Sequence, residues 1–465
     1  MTLWRRWLPS WRREALRTTL WLVPAVMVAL VIVLFAVTYL LDRAVYRGDF
    51  RLPAWADTGS ADAGRQLLST IAAAVITVVG VVFSVTIVAL TLASQQFGPR
   101  MLRNFIRDLG TQISLGAFVA TFFYSVLALG SITSSGPHGA FVPNISITMA
   151  LLLLVTDLVV LIYFIHHIAV TIQLPQVIAG VSRDLGRAID AQFPPVTNEA
   201  AHTTGTPSVA EIKVRLAENG RPVAARTSGY LQFVRYEELV GIAESTDTVL
   251  QLLYRPGHFI TAGLPLARVW PPEAAPSVTR ALQRSHVPGA HRTLTQDPVF
   301  PIDQLVEIAI RALSAAVNDT FTALTCIDWL SDGLCKVSER HLPEGVHRDR
   351  HGTIRLIEPG PDYARIVNRA SDKIRQASRE MPAVAIRQMD GLTKVLSYTT
   401  DAAQRLVLSH QAERIARASR SDIPEADDRR DVEERYERFA TALQTIEATE
   451  NNGSLTKALR HQPEN

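Results

Sequence analysis

Eight positions of one apolar run, Thr70, Ala73, Thr77, Gly80, Ser84, Ile87, Thr91 and Ser94, recur at alternating intervals of three and four. That spacing lays them along one side of a helix. Thr70, Thr77, Gly80, Ser84, Thr91 and Ser94 are its hydroxyl and glycine members, and in a bilayer such a stripe fits two roles. It packs one helix closely on another, or it lines a wet path for an ion or small solute. Asp157 is the one carboxylate deep inside an apolar run. At that depth it is costly unless neutral, paired or wetted, so it is either a protonated or hydrogen-bonded structural Asp, with hydroxyls such as those of Thr121, Ser125 or the second span as partners, or an ion or proton site. His166 and His167 follow in the same run; adjacent residues point to different helix faces, which favours interfacial anchoring over a shared metal. Asn318 and Asp319 interrupt two helical patterns. Asp319 is placed to cap the second helix and Asn318 suits a left-handed turn; the alternative is a polar site at the junction, with Gln296 and Asp297 nearby in sequence.

Four apolar elements must position these residues. The chain has 465 residues, 48% of them hydrophobic, and a positive mean hydropathy. The segment 67–93 runs roughly 27 residues without a charge, enough to cross a bilayer core. Further spans are expected at about 20–41, 111–132 and 145–172 within a membrane domain over 19–175, and the stretch 67–108 is expected to organise that domain. Pro99 and Gly110 bracket an interfacial amphipathic helix over 98–109. Its Arg100, Arg103 and Arg107 share one face suited to anionic lipid headgroups. Residues 1–18 alternate Trp with Arg as a cytoplasmic headgroup anchor, and no small-residue cleavage site follows the first span. Arginines concentrate on the side of the N-terminal tail, the 98–109 helix and the segment after the fourth span. Both termini are therefore expected in the cytoplasm of a bacterial inner-membrane protein.

Residues 176–207 read as a helix extension and a Pro/Thr/Gly-rich linker. From 208 to 272 the β-type runs VAEIKV, YLQFV, TVLQLLYR and PLARVW alternate with turns, with RYEELVGIAEST as a helical insert. RPGHFITAGLPLARVW resembles the turn pattern of the barrel-sandwich hybrid fold of biotinyl and lipoyl carrier domains. Lys213, the lysine of this region, stands in another predicted strand, so a structural barrel is expected rather than a carrier. Residues 290–450 read as a helical domain with one short strand, TIRLIEP, and helices near 361–379, 381–418 and 426–448. Residues 451–465 read as a disordered tail. The expected fold class is a multi-pass α-helical membrane domain of four spans, plus a cytoplasmic α+β region with a small β-barrel-like domain and a helical C-terminal part.

No phosphate-binding glycine loop with Lys and Ser or Thr, dinucleotide fingerprint, nucleophile elbow, HExxH or CxxC motif appears. The chain is therefore not read as an enzyme, and no cofactor or metal is implied. Cys326 and Cys335, nine apart on a helical pattern, read as reduced thiols. The net charge is +3 and no basic patch interleaves with aromatics, which excludes nucleic acid as an expected partner.

Three stretches, SVTIVALTLASQQFGPRMLRNFIRD, SGYLQFV with PGHFITAGLPL, and QDPVFPIDQLVEIAIRALSAAVNDTFTALTCID, resemble a family of predicted bacterial membrane proteins known only as a domain of unknown function. The resemblance covers roughly residues 15–420. Family members often carry Ser-Pro-Gly before the Asn-Asp pair, whereas here Ala315 and Ala316 follow Ser314. The resemblance implies a four-span inner-membrane protein and no activity. Two classes of function are expected: an oligomeric ion channel or transporter with a cytoplasmic vestibule, similar in layout to small-conductance mechanosensitive channels, or a membrane-anchored scaffold or sensor. The lipid bilayer and further copies of the chain are the expected partners.

Overall fold

The computed structural model describes residues 21–47, 60–97, 108–134, 140–195 and 208–459. The basic N-terminal segment, the run carrying Arg100, Arg103 and Arg107, and residues 196–207 lie outside the described residues. The chain divides into two compact units, Met1–Val177 and Ile178–Asn465.

In the first unit α1 (Leu22–Arg47), α2 (Ala61–Phe97), α3 (Leu109–Ser131) and α4 (Asn144–Thr171) are each long and apolar enough to cross a membrane. The helix that organises them is α3, not α2. It packs against all three others and buries Gly116, Phe118, Ala120, Thr121, Ser125 and Ala128. Small residues let backbones approach where lipid offers no hydrophobic drive. A Cβ at Gly116 would lie 2.5 Å from Met27 Sδ and 3.2 Å from the Pro24 Cα of α1. The core joins Leu68, Val75 and Val82 of α2 to Phe118 and Tyr124 of α3 and to Ile147 and Phe164 of α4.

The second unit takes in most of α5 (Leu174–Gln192), which buries Ile178, Val181, Leu185 and Ile189. Leu185 fills the space a side chain at Gly333 would need, and Asp190 pairs with Arg340 at 2.6 Å. VAEIKV, expected as a strand, lies in helix α6 (Val209–Asn219). Ser208 and Glu211 form a capping box there, which closes two free donors at a helix start and outweighs the β-type composition.

No sheet closes into a barrel among the described residues, which corrects the expected β-barrel-like domain. The strands β1 (Arg221–Ala224), β2 (Gly229–Val234), β3 (Val249–Leu252), β4 (Phe259–Ile260), β5 (Pro265–Trp270), β6 (His286–Gly289), β7 (Val346–Arg348) and β8 (Ile354–Ile357) form two open sheets, ordered β1-β5-β3-β8-β7 and β4-β2-β6. TIRLIEP supplies β8, which pairs in parallel with β3 through Leu250 and Leu356. Turn residues report where a strand ends but not which distant strand it meets, and the strands, two to six residues long, divide between a sheet of five and a sheet of three, neither of which closes. Both sheets share one core with α7 (Tyr236–Ser245) and α8 (Ala275–Ser285), built on Leu231, Val234, Leu239, Leu250, Val269 and Leu282.

The remaining helices are α9 (Phe300–Ala312), α10 (Thr320–Ser338), α11 (Tyr363–Ala377), α12 (Pro382–Leu396), α13 (Ala402–Asp422) and α14 (Ala426–Leu459). The expected 381–418 helix is therefore two. Asp401 caps the second by accepting from the Gln404 amide at 2.7 Å. The tail expected as disordered from Asn451 is helical as far as Leu459.

Candidate functional site

On α2, Thr70, Thr77, Gly80, Ser84 and Thr91 are exposed and Ser94 is half-buried, whereas the packed face carries Leu68, Ile71, Val75, Val79 and Val82. The stripe thus turns away from the core of its own unit. Thr70, Thr77 and Thr91 donate to the carbonyls of Gln66, Ala73 and Ile87 at 2.7, 2.8 and 2.9 Å. A hydroxyl satisfied by its own helix costs little in lipid. Nothing lies within 4 Å of a Cβ placed at Gly80.

Asp157 is 5% exposed. The Thr121 hydroxyl of α3 hydrogen-bonds its carboxyl group, and Oδ2 is without a hydrogen-bond partner among the described residues. The carboxylate thus sits on the buried side of the bundle and the stripe of α2 on the outer side.

A second carboxylate of the four-helix unit, near the C-terminal end of α1 and expected from the sequence to belong to the polar segment after the first span, is buried as well. Asp42 is 2% exposed. Its Oδ1 accepts from the Ile145 amide at 2.7 Å, and its Oδ2 accepts from the Ser146 amide at 3.0 Å and the Ser146 hydroxyl at 2.7 Å. Pro143 precedes α4 and offers no capping side chain, so a carboxylate from α1 caps it. Ser146 passes the bonding on to Thr38, 2.8 Å from the Tyr124 hydroxyl. At the opposite end of α4, His167 Nε2 lies 2.7 Å from Asp108, which also accepts from the Thr111 amide and hydroxyl. Gly110 leaves room for that imidazole, 2.5 Å from where a Cβ would stand.

Asn318 adopts φ +49°, and Asp319 caps α10 by accepting from the Thr322 amide at 3.1 Å and hydroxyl at 2.6 Å. Gln296 does other work, bonding the amide and carbonyl of Val234 on β2 at 2.8 and 3.1 Å.

Asp297, named above beside the helix junction, lies in the wall of a charged cavity in the second unit whose arginines no sequence pattern singles out. The cavity's volume is about 380 Å³ and its walls include Tyr254, Arg255, His258, Arg292, Asp297 and Arg369. Three pieces of chain build it. The loop between β3 and β4 brings Arg255 and His258, tied to β2 where the Gly257 amide donates to the Leu231 carbonyl and the Leu231 amide to the His258 carbonyl, each at 2.8 Å. The segment between β6 and α9 brings Arg292 and Asp297, and α11 brings Arg369. Gly257, at φ +91°, is required, because a Cβ there would strike the Asp297 carboxylate.

Arg292 is the fixed centre. Its Nε donates to Asp297 Oδ2 at 2.8 Å, its Nη2 lies 2.6 Å from the same oxygen, and its Nη1 pairs with Asp303 of α9. Asp303 also pairs with Arg369. Phe300 lies under the Arg292 guanidinium, 5.1 Å from ring centre to Cζ. Burial opposes charge on Arg292, but Asp297 and Asp303 overcome it and raise its pKa; burial lifts Asp297 above the usual carboxylate range against the pull of Arg292. Arg255 differs. Its Nη1 donates to the Gly360 carbonyl at 3.3 Å, and burial lowers its pKa. Burial, then Arg255, Arg292, Arg365 and Arg369, push His258 down to about 4. The imidazole is therefore neutral at pH 7, in a field set by four guanidinium groups. His258, Asp297 and Asp303 fall in two of the stretches that carry the family resemblance, but RPGHF reads there as a turn, and the scattered arginines read as solvated surface.

Residues 17–394 match DUF2254, a family described as predicted membrane protein. The chain is 31% identical over 404 residues to an uncharacterized protein of Mycobacterium tuberculosis, Rv1290c, covering 85% of this chain and 75% of that protein. The same identity and coverage hold for an uncharacterized protein of Mycobacterium bovis, Mb1321c. No solved structure matches the chain. A family match over most of the chain, four membrane-length helices and bacterial relatives aligned across both units lead to one assignment: this chain belongs to the DUF2254 family of predicted membrane proteins.

Proposed function

We propose that this protein is a ligand-responsive membrane protein, a sensor or scaffold whose extramembrane unit takes up a small molecule. The observation that carries this reading is the 380 Å³ cavity lined by Arg255, His258, Arg292 and Arg369, a size and mixture of polar and aromatic walls suited to a metabolite. In this reading four spans hold the chain in the bacterial inner membrane with both termini cytoplasmic, and Arg100, Arg103 and Arg107 rest on anionic headgroups. The test is a thermal-unfolding screen of the full chain in lipid nanodiscs against a panel of metabolites. A saturable ligand present at about 100 times its Kd adds about 2.7 kcal/mol to the unfolding free energy. A panel that moves no transition, together with measurable ion flux, overturns the reading.

One observation favours the conducting alternative. The hydroxyl stripe of α2 faces outward, so subunits arranged around an axis would gather Thr77, Ser84 and Thr91 at their contact. Ser84→Leu and Thr91→Leu are then expected to reduce ion flux into liposomes while the subunit number in lipid stays the same. A monomer in lipid excludes this alternative.

A further inference from the structure

We propose that the arginine-walled cavity of the second unit is a binding site for a phosphoryl group. This rests on the ligand-binding reading above and names its chemistry.

Three arginines line the cavity, and Arg365 acts electrostatically on the same space. Two carboxylates, Asp297 and Asp303, stand against them, and both are engaged by Arg292. That guanidinium therefore serves as a brace: it is locked on two sides and backed by Phe300, and it holds the wall rather than the ligand. Asp303 is shared again with Arg369, whose side chain remains 48% exposed and keeps its terminal nitrogens for another acceptor. Arg255 has a neutral carbonyl as its hydrogen-bond acceptor, and Asp297 and Glu358 act on it only through longer-range attraction. A half-buried guanidinium without a paired anion is an expensive arrangement unless an anion arrives.

The neighbouring imidazole points the same way. After burial, the groups that push His258 down most are Arg255, Arg292, Arg365 and Arg369, and of the three that line the cavity, Arg292 and Arg369 pair with aspartates and Arg255 with the Gly360 carbonyl. A neutral imidazole there can donate one hydrogen bond to an oxyanion. Arginine forks match phosphate oxygens in pairs, and a preset wall reduces the ordering cost of binding. Tyr254, Phe259 and Val299 supply an apolar side to the same cavity, next to the charged one. A volume of 380 Å³ admits a phosphorylated small molecule or a lipid headgroup and not a folded partner.

The experiment uses the full chain in nanodiscs, with calorimetry and thermal unfolding. One arm has purely zwitterionic lipid and titrates inorganic phosphate, pyrophosphate and a nucleoside triphosphate. The other has no added phosphate and replaces part of the lipid with phosphatidylglycerol. Saturable binding in either arm that weakens at least tenfold in Arg255→Gln and in Arg369→Gln, but not in Arg387→Gln, whose arginine is not in the cavity wall and pairs with Asp328, supports the site. The arm that responds identifies its source, a soluble phosphate or a headgroup. Arg369→Gln changes a half-exposed position, so it remains informative if Arg255→Gln fails to fold. Phosphoryl binding that both cavity variants leave intact overturns the proposal, as does its absence from both arms. A phosphate-free metabolite that stabilises wild type and not Arg369→Gln overturns the phosphoryl assignment while leaving the ligand-binding reading in place; no binder of any kind removes both.

Discussion

His258 makes the electrostatics of the cavity measurable. Its pKa is pushed down to about 4 in the folded chain against an ordinary 6.5, first by burial and then by the arginines around it. Between those two pH values the unfolded chain carries a proton at this position that the folded chain does not. The unfolded state binds more protons, so the stability contribution is fully present above pH 6.5 and is lost as pH falls toward 4. His258→Gln is expected to flatten the fall in stability across that window relative to wild type, measured by denaturant unfolding at stepped pH. Equal slopes for the two proteins would mean the imidazole feels no such field. Cys326 shows the same burial effect on a thiol: it is buried and pushed up to about 12, so it stays protonated and a poor nucleophile at neutral pH.

At the scale of elements, the membrane unit is decided by which helix carries small residues on its buried side. Hydroxyls and glycine along α2 pointed to that helix, yet three of those threonines bond their own backbone and the stripe turns outward. Gly116 of α3 is the position where backbones close. Gly116→Val is expected to lower the thermal midpoint of the membrane unit by several degrees, corresponding to about 1–3 kcal/mol of overpacking. Gly80→Val, with open space around it, is expected to leave that midpoint unchanged; unfolding in detergent, where copies are separated, compares the two. A loss at position 80 equal to that at 116 would contradict the packing described. Asp42 makes a related point about element ends: α4 begins after a proline, and its free amides are satisfied from another helix.

For the molecule as a whole, the boundary between the units falls inside α5. This helix reads as an extension of the fourth span and a lead into a linker. Its buried face of Ile178, Val181, Leu185 and Ile189 and its lock on Gly333 and Arg340 make it part of the second unit. Each such side chain contributes about 1.5–3 kcal/mol when fully buried, against roughly 5–15 kcal/mol for an entire domain. A fragment 178–465 is expected to unfold cooperatively in solution, and a fragment 208–465 to aggregate or melt without a sharp transition, as circular dichroism will show. Equal cooperativity in both would mean that α5 is dispensable.

The sequence by itself determined the four spans, the Asp319 cap and left-handed Asn318, the helical character of the C-terminal part and the family. These features are local: an uncharged run must span lipid, and a capping residue acts within one turn. Tertiary structure decided the rest. It selected α3 over α2 as the packing centre and drew β8 across about a hundred residues to lie beside β3. It buried Asp42 between helices, and it gathered Arg255, Arg292 and Arg369 from three separate segments into one wall. Periodicity reports which residues share a face; it does not report what that face meets, because pairing between distant segments depends on the summed burial and hydrogen bonding of the whole chain.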